Sequence, residues 1–140
     1  MVLTAKVLGA GTVYAVDSVE DRLKQAEKMD ALPLNLQTDN IDATVKFVTN
    51  GRGADAVVES VGNRSAMRLA IDLVRPCGAI SSIGFHQTEF PFTAFAAYSK
   101  NIEYGPVQQG GLYNANSQFK AQYGASSSAA GIWRSSYGVR

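Results

Sequence analysis

Between Thr12 and Phe85, short apolar runs alternate with stretches whose apolar residues recur every three or four positions. "TVYAV" (12–16), "LPLNL" (32–36), "ADAVVESVG" (54–62) and "AISSIGF" (79–85) read as strands. The third is a nearly continuous apolar run that Glu59 and Ser60 break near its end, the pattern of a strand buried on both faces. Pro33 cannot donate to a ladder, which places its strand near a sheet edge.

The intervening stretches read as helices. "SVEDRLKQAEKM" puts Val19, Leu23 and Ala26 on one face, with Ser18 and Asp21 spaced as a capping box. "DNIDATVKFVTNG" is capped by Asp39, carries Ile41, Val45 and Val48 in register, and stops at Asn50-Gly51. "NRSAMRLAIDLVRPCG" has Met67, Ala70, Ile71 and Val74 as its inner stripe and Pro76 as its stop. Strands and helices alternating at this spacing predict βαβ units, a parallel sheet and a doubly wound α/β fold.

The glycines of "GAGTVYAVD" (9–17) stand where a phosphate-binding loop invites attention. Such a loop works after a strand and before a helix, so that backbone N–H groups at the helix start face the phosphates. Here the order is reversed: "MVLTAKVL" precedes the glycines, a strand follows them, and Tyr14 stands where a third glycine belongs. Gly9 to Gly11 therefore read as the C-terminal stop of a helix.

Composition adds limits. With 46% hydrophobic and 18% charged residues the chain is that of a soluble globular protein, and 140 residues suffice for one domain of ordinary size. A net charge of +1 gives no reason to expect nucleic acid or an anionic membrane as partner. The single cysteine, Cys77, excludes an internal disulfide and a multi-thiolate zinc cluster, and it fits a reducing, cytoplasmic setting. No apolar run reaches the ~20 residues of a membrane span, and no signal-peptide layout is present. The charge is uneven: ten basic residues face twelve acids up to Glu103, and three face none after it. Residues 104–140 are rich in Gly, Ser, Gln, Asn and Ala and read as mostly irregular, so the chain divides into residues 1–102 and a tail, 103–140.

"AKVLGAGTVYAVDSVEDRLKQAEKMDA", "VTNGRGADAVVESVGNRSAMRLAIDLVRPCGAISSIGF" and "SKNI", in that order and spacing over about residues 3–102, resemble the cofactor domain of medium-chain, zinc-type alcohol dehydrogenases. The wording sits nearest the alcohol and formaldehyde dehydrogenase branch. The resemblance implies a Rossmann-like doubly wound sheet and NAD as cofactor.

It also implies site residues. Asp17 matches the acid that ends the family's second strand and holds the adenosine ribose. A carboxylate there accepts hydroxyl protons from NAD and repels the 2′-phosphate of NADP. Arg22 matches a basic position beside the adenosine. Val61 and Gly62 match residues lining the cofactor cleft, and Ile83, Gly84 and Phe85 match the segment approaching the nicotinamide. Plainer readings stand beside these. Asp17 caps the following helix, Arg22 pairs with Glu20 or Asp21 in solvent, and Gly62 and Gly84 are strand-end turns. Glu59 reads as an ion-paired or hydrogen-bonded group at a strand end, Cys77 as a small turn residue and His86 as a surface or packing residue.

The departures from the family carry expectations too. Its first strand and glycine loop should precede Met1, and its catalytic domain with the zinc ligands has no counterpart here. Asp30 and Cys77 stand where the family has glycine. The chain is therefore expected to be a fragment: a sheet lacking its first strand, with "TVYAV" and "ADAVVES" paired directly or left as an open edge.

Hydrogen bonds from Asp17 contribute about 1.5–3 kcal/mol, against about 8 kcal/mol for micromolar affinity. Weak NAD binding and little or no dehydrogenase activity are expected, with zinc belonging to the parent family rather than to this chain. An S-adenosylmethionine-dependent methyltransferase-like fold and a non-catalytic chain acting through its basic tail are the alternatives. Family members oligomerise, but the sequence does not predict the state.

Overall fold

In a computed structural model, described over residues 1–84, 93–106 and 130–133, the predicted alternation is realised as a parallel sheet with helices on both faces. Helix α1 (Val2–Val7) ends at the glycines: Gly9 takes φ +90°, its N–H bonds to Lys6 O, and Ala10 N–H bonds to Ala5 O. That pair of bonds satisfies carbonyls the helix would otherwise leave open. Strand β1 (Thr12–Asp17) follows, buried from Val13 onward. Gly9 to Gly11 thus sit at the edge of the sheet where β1 begins.

Helix α2 (Glu20–Lys28) buries Leu23 and Ala26, while Val19, expected on the inner stripe, is exposed. The expected Ser18–Asp21 capping box does not form. Val19 is the N-cap with no side-chain bond, because Asp17 already accepts from the Ser18 and Val19 N–H groups. The turn after α2 places Asp30 at φ +65°, a glycine-like conformation, with its carboxylate 2.7 Å from Lys6 Nζ. Strand β2 (Leu32–Asn35) then occupies one edge of the sheet, where the missing N–H of Pro33 disrupts no further ladder.

Helix α3 (Ile41–Val48) is capped by Asn40, whose Oδ1 accepts from Ala43 N–H, and not by Asp39. The Asp39 carboxylate is turned back to Asn35 N–H. Strand β3 (Ala54–Glu59) leads to α4 (Arg64–Leu73), capped by Asn63 and burying Met67, Ala70 and Ile71. α4 stops three residues before Pro76, which lies inside strand β4 (Val74–Ser82). The Nζ of Lys100 takes over the helix end, donating to the carbonyls of Ile71 (2.7 Å), Asp72 and Val74 (both 3.2 Å). Between Ala54 and Ala56 the β3–β4 register shifts, and the irregular stretch holds Cys77 at φ +56°. Helix α5 (Ala94–Lys100) and strand β5 (Glu103–Pro106) complete the second edge.

Residues 104–140 depart from the irregular tail expected of them at two places. β5 pairs with β4 over Glu103–Pro106, and strand β6 (Ala130–Trp133) lies between β1 and β3. The sheet order is β2-β1-β6-β3-β4-β5, all neighbours parallel. Direct pairing of "TVYAV" with "ADAVVES" is therefore corrected: Thr12–Ala15 pairs with Ala130–Trp133 on one side, and Ala56–Val58 with Gly131–Trp133 on the other. β6 takes the central place that the order 3-2-1-4-5-6 gives to a first strand. The physical reason is backbone demand. Two strands buried in mid-sheet need hydrogen-bond partners on their facing sides, and the proline-free extended segment Ala130–Trp133 provides them.

Two apolar layers flank the sheet. Tyr14, Val16, Leu34, Val57 and Ile80 pack with Ile41, Val45, Met67, Ala70 and Ile71, which belong to α3 and α4. Val13 and Ala15 pack with Val2, Ala10, Ala26 and Ala31 on the α1–α2 side. Alternate residues of β1 thus feed opposite layers, as a strand covered on both faces requires.

Candidate functional site

β1 and β3 both end in a buried acid, Asp17 and Glu59, at the edge of the sheet where the strands finish. In a parallel α/β sheet that edge carries the ligand crevice, near the point where helices switch faces. Here α2 follows β1 on one face and α3 crosses to the other, so the switch lies between β1 and β3.

Asp17 is 5% exposed. Its Oδ1 accepts from Ser18 N–H (2.7 Å) and Val19 N–H (3.0 Å), and its Oδ2 lies 3.5 Å from Arg22 Nη1. Arg22, one turn into α2, therefore reaches the strand-end acid, and the solvent pairing with Glu20 or Asp21 is not needed to explain it. A carboxylate has about four acceptor positions. Two on Oδ1 are filled by backbone, while Oδ2 carries only the long contact with Arg22 among the described residues.

Across the switch point, four predicted residues come together. Val61 and Gly62 form the turn after β3, with Gly62 at φ +78°, and Ile83 and Gly84 form the turn after β4. All four are half-buried. The turns touch so closely that a Cβ on Gly84 would stand 2.1 Å from Gly62 N and 2.5 Å from its Cα. Glycine is required at Gly84 by that approach. Phe85, the seventh predicted residue, lies outside the described residues, as does His86.

Glu59 is 2% exposed and binds through hydrogen bonds, in line with the strand-end reading. Its Oε1 accepts from Val61 N–H (2.7 Å) and Gly62 N–H (2.8 Å), and Ser82 Oγ donates to its Oε2 at 3.1 Å. Sequence reasoning missed Ser82 and Tyr104, which extend this chain. Burial pushes the Tyr104 phenol above its ordinary value of 10.0, the Ser82 hydrogen bond pulls it down, and the Glu59 charge pushes it up. The available signal was the pair Glu59 and Ser82, two polar residues at the ends of apolar strands that prove to be in register.

Among the described residues no group of three or more His, Cys, Asp or Glu side chains is placed to hold a metal ion, and no helix is long and apolar enough to cross a membrane. Cys77 is exposed and receives a 3.6 Å contact from Asn101 Nδ2.

Residues 1–121 match the family model described as zinc-binding dehydrogenase. A medium chain reductase/dehydrogenase of an Acremonium species is 52% identical over 88 residues, which cover 61% of this chain and 30% of that protein. Zinc-type alcohol dehydrogenase B of Aspergillus flavus is 50% identical over 92 residues, covering 64% and 22% respectively. Among solved structures, the alcohol dehydrogenase TADH from Thermus sp. ATN1 superposes with a TM-score of 0.74 at 30% identity, covering 86% of this chain and 36% of that one. Benzyl alcohol dehydrogenase from Acinetobacter calcoaceticus gives a TM-score of 0.72 at 26% identity, covering 87% and 36%. The chain thus spans about a third or less of the length of these relatives. Family match, Rossmann-like sheet and paired strand-end turns agree: the chain belongs to the medium-chain, zinc-type alcohol dehydrogenases and corresponds to their cofactor-binding domain.

Proposed function

We propose that this chain supplies the NAD-binding part of an alcohol dehydrogenase, with Asp17 holding the adenosine ribose. The observation that carries the reading is the Asp17 carboxylate itself. It is buried at a strand end, fixed through Oδ1 by two backbone amides, and has acceptor capacity left on Oδ2. A ribose diol needs such an acceptor, and a 2′-phosphate is repelled by it.

Arg22 lies 3.5 Å from the acid and, in this reading, flanks the adenosine. Val61, Gly62, Ile83 and Gly84 form the cleft wall in this reading, with the Gly62–Gly84 approach keeping it thin, while Phe85 is assigned to it by the family resemblance alone. Residues 1–102 carry these groups. When bound, NAD would supply the hydride acceptor for oxidation of an alcohol. The described residues offer no zinc site, so no step through zinc is assigned to this chain. The family match takes the place of the methyltransferase alternative.

Weak binding is expected, because a few hydrogen bonds at the ribose fall well short of the ~8 kcal/mol of micromolar affinity. Titration calorimetry tests the reading. The expected result is saturable but weaker-than-micromolar NAD binding, undetectable NADP binding, and loss of NAD binding in Asp17→Ala. Equal affinity for both cofactors, or an unaffected Asp17→Ala variant, would overturn it.

A further inference from the structure

We infer that Glu59 is the positioning residue that holds the two cleft-lining turns in one fixed relation, an inference that rests on reading those turns as nucleotide-lining. The two turns belong to different strands and share no chain connection shorter than α4 and β4. One residue nevertheless bonds to both. Through its side chain, Glu59 holds the amides of Val61 and Gly62. Through its own carbonyl oxygen it accepts from Ile83 N–H at 2.7 Å and Gly84 N–H at 3.3 Å. The Ser82 hydroxyl on its Oε2 ties the carboxylate to the residue just before the second turn.

The choice of an acid here has a physical reason. From Ala56 to Val58 β3 is apolar, and an apolar side chain at its last position would leave the Val61 and Gly62 amides without this acceptor. A carboxylate can serve two N–H donors on one oxygen and a hydroxyl on the other, and its charge-assisted bonds are about twice as strong as neutral ones. The clearance makes the position matter. With Gly62 and Gly84 already at closest approach, a shift of either turn by a fraction of an ångström changes the width of the cleft wall. Side chain and carbonyl of Glu59 hang from the same backbone unit, so releasing the carboxylate also loosens the bonds to Ile83 and Gly84.

Amide hydrogen exchange followed by NMR on the full nucleotide-free chain tests this, using the wild type, Glu59→Gln and Ser82→Ala. Glu59→Gln keeps the shape and one acceptor oxygen and loses the charge. Exchange at Val61, Gly62, Ile83 and Gly84 should accelerate together, by about tenfold, while the amides of Ala56 to Val58 stay unchanged. Ser82→Ala should accelerate the same four amides to a lesser degree, and it carries the comparison alone should the glutamine variant fail to fold. Acceleration confined to Val61 and Gly62, no change at all, or equal acceleration throughout β3 would overturn the inference. NAD titration of the same variants should show parallel weakening of about tenfold. A wild type that binds no NAD would sink the proposed function instead, and the exchange data would still decide the role of Glu59.

Discussion

The two edges of the sheet use buried acids in opposite ways. Where the strands begin, Asp55 is 6% exposed and is clamped by cations: Arg75 Nε at 2.6 Å, Arg52 Nη1 at 2.9 Å and Arg52 Nη2 at 3.3 Å. Arg75 Nη1 then donates to the carbonyls of Pro76 and Cys77, closing the irregular start of β4. Gly53 and Gly78 are packed into the same knot, where added Cβ atoms would stand 2.9 Å from Leu73 O and 2.6 Å from Val74 Cγ2. Where the strands end, Asp17 and Glu59 hold backbone amides, and Arg22 approaches Asp17 only at 3.5 Å. An acid matched to side-chain cations fastens one element to another and leaves little for a ligand. An acid that holds amides shapes a turn from behind and leaves its outer surface open.

Removing the clamp should give the largest effect on stability. Asp55→Ala leaves two guanidinium groups facing a buried vacancy. Because Arg52 is half exposed, the expected loss is about 2–3 kcal/mol, below the full value for a buried pair. Urea denaturation measures it, and nucleotide affinity should be unchanged in the folded fraction. Gly84→Ala attacks the other edge. The new methyl has no room against Gly62, and overpacking of this kind costs about 1–3 kcal/mol. Here the weakening of NAD binding should exceed what the lost folded fraction explains, which calorimetry and circular dichroism together resolve.

The smallest effect is a pH dependence. Burial raises the Tyr14 phenol, and burial with the Glu59 charge raises that of Tyr104, above the ordinary 10.0. A raised folded-state value contributes stability that is fully present below the unfolded value and is lost as pH rises through the folded one. The chain should therefore lose stability above pH 10.0, and Tyr104→Phe should lose less of it over the same range. Denaturation midpoints measured across that range check the slope, and an identical slope in the variant would remove Tyr104 from the network.

Much of this was legible in the sequence because period and punctuation are local. The stripe Met67, Ala70, Ile71, the stop at Gly9 and the edge position of Pro33 all follow from spacing or from single-residue geometry. The helix starts are not legible where two polar residues compete. Asn40 displaced Asp39 because Asp39 was taken by Asn35 N–H, and the Ser18–Asp21 box gave way to Asp17. The end of α4 is not legible either, since its cap, Lys100, comes from a helix distant in sequence. The family wording singles out Asp17 and the two glycines, which the structure places at the end of β1 and in the two touching turns. The bonds of Glu59 to both turns depend on register between strands, which no local pattern encodes.

The placement of β6 governs how the chain reaches its native state. Thr12 pairs alongside Ala130, so the middle of the sheet joins strands that lie far apart along the sequence. Among the described residues, the β2-β1 ribbon and the β3-β4-β5 ribbon are joined in the sheet through residues 130–133. Contacts between such remote positions make closure slow, and each ribbon exposes a bare flank while it waits, which is when a chaperone would matter most.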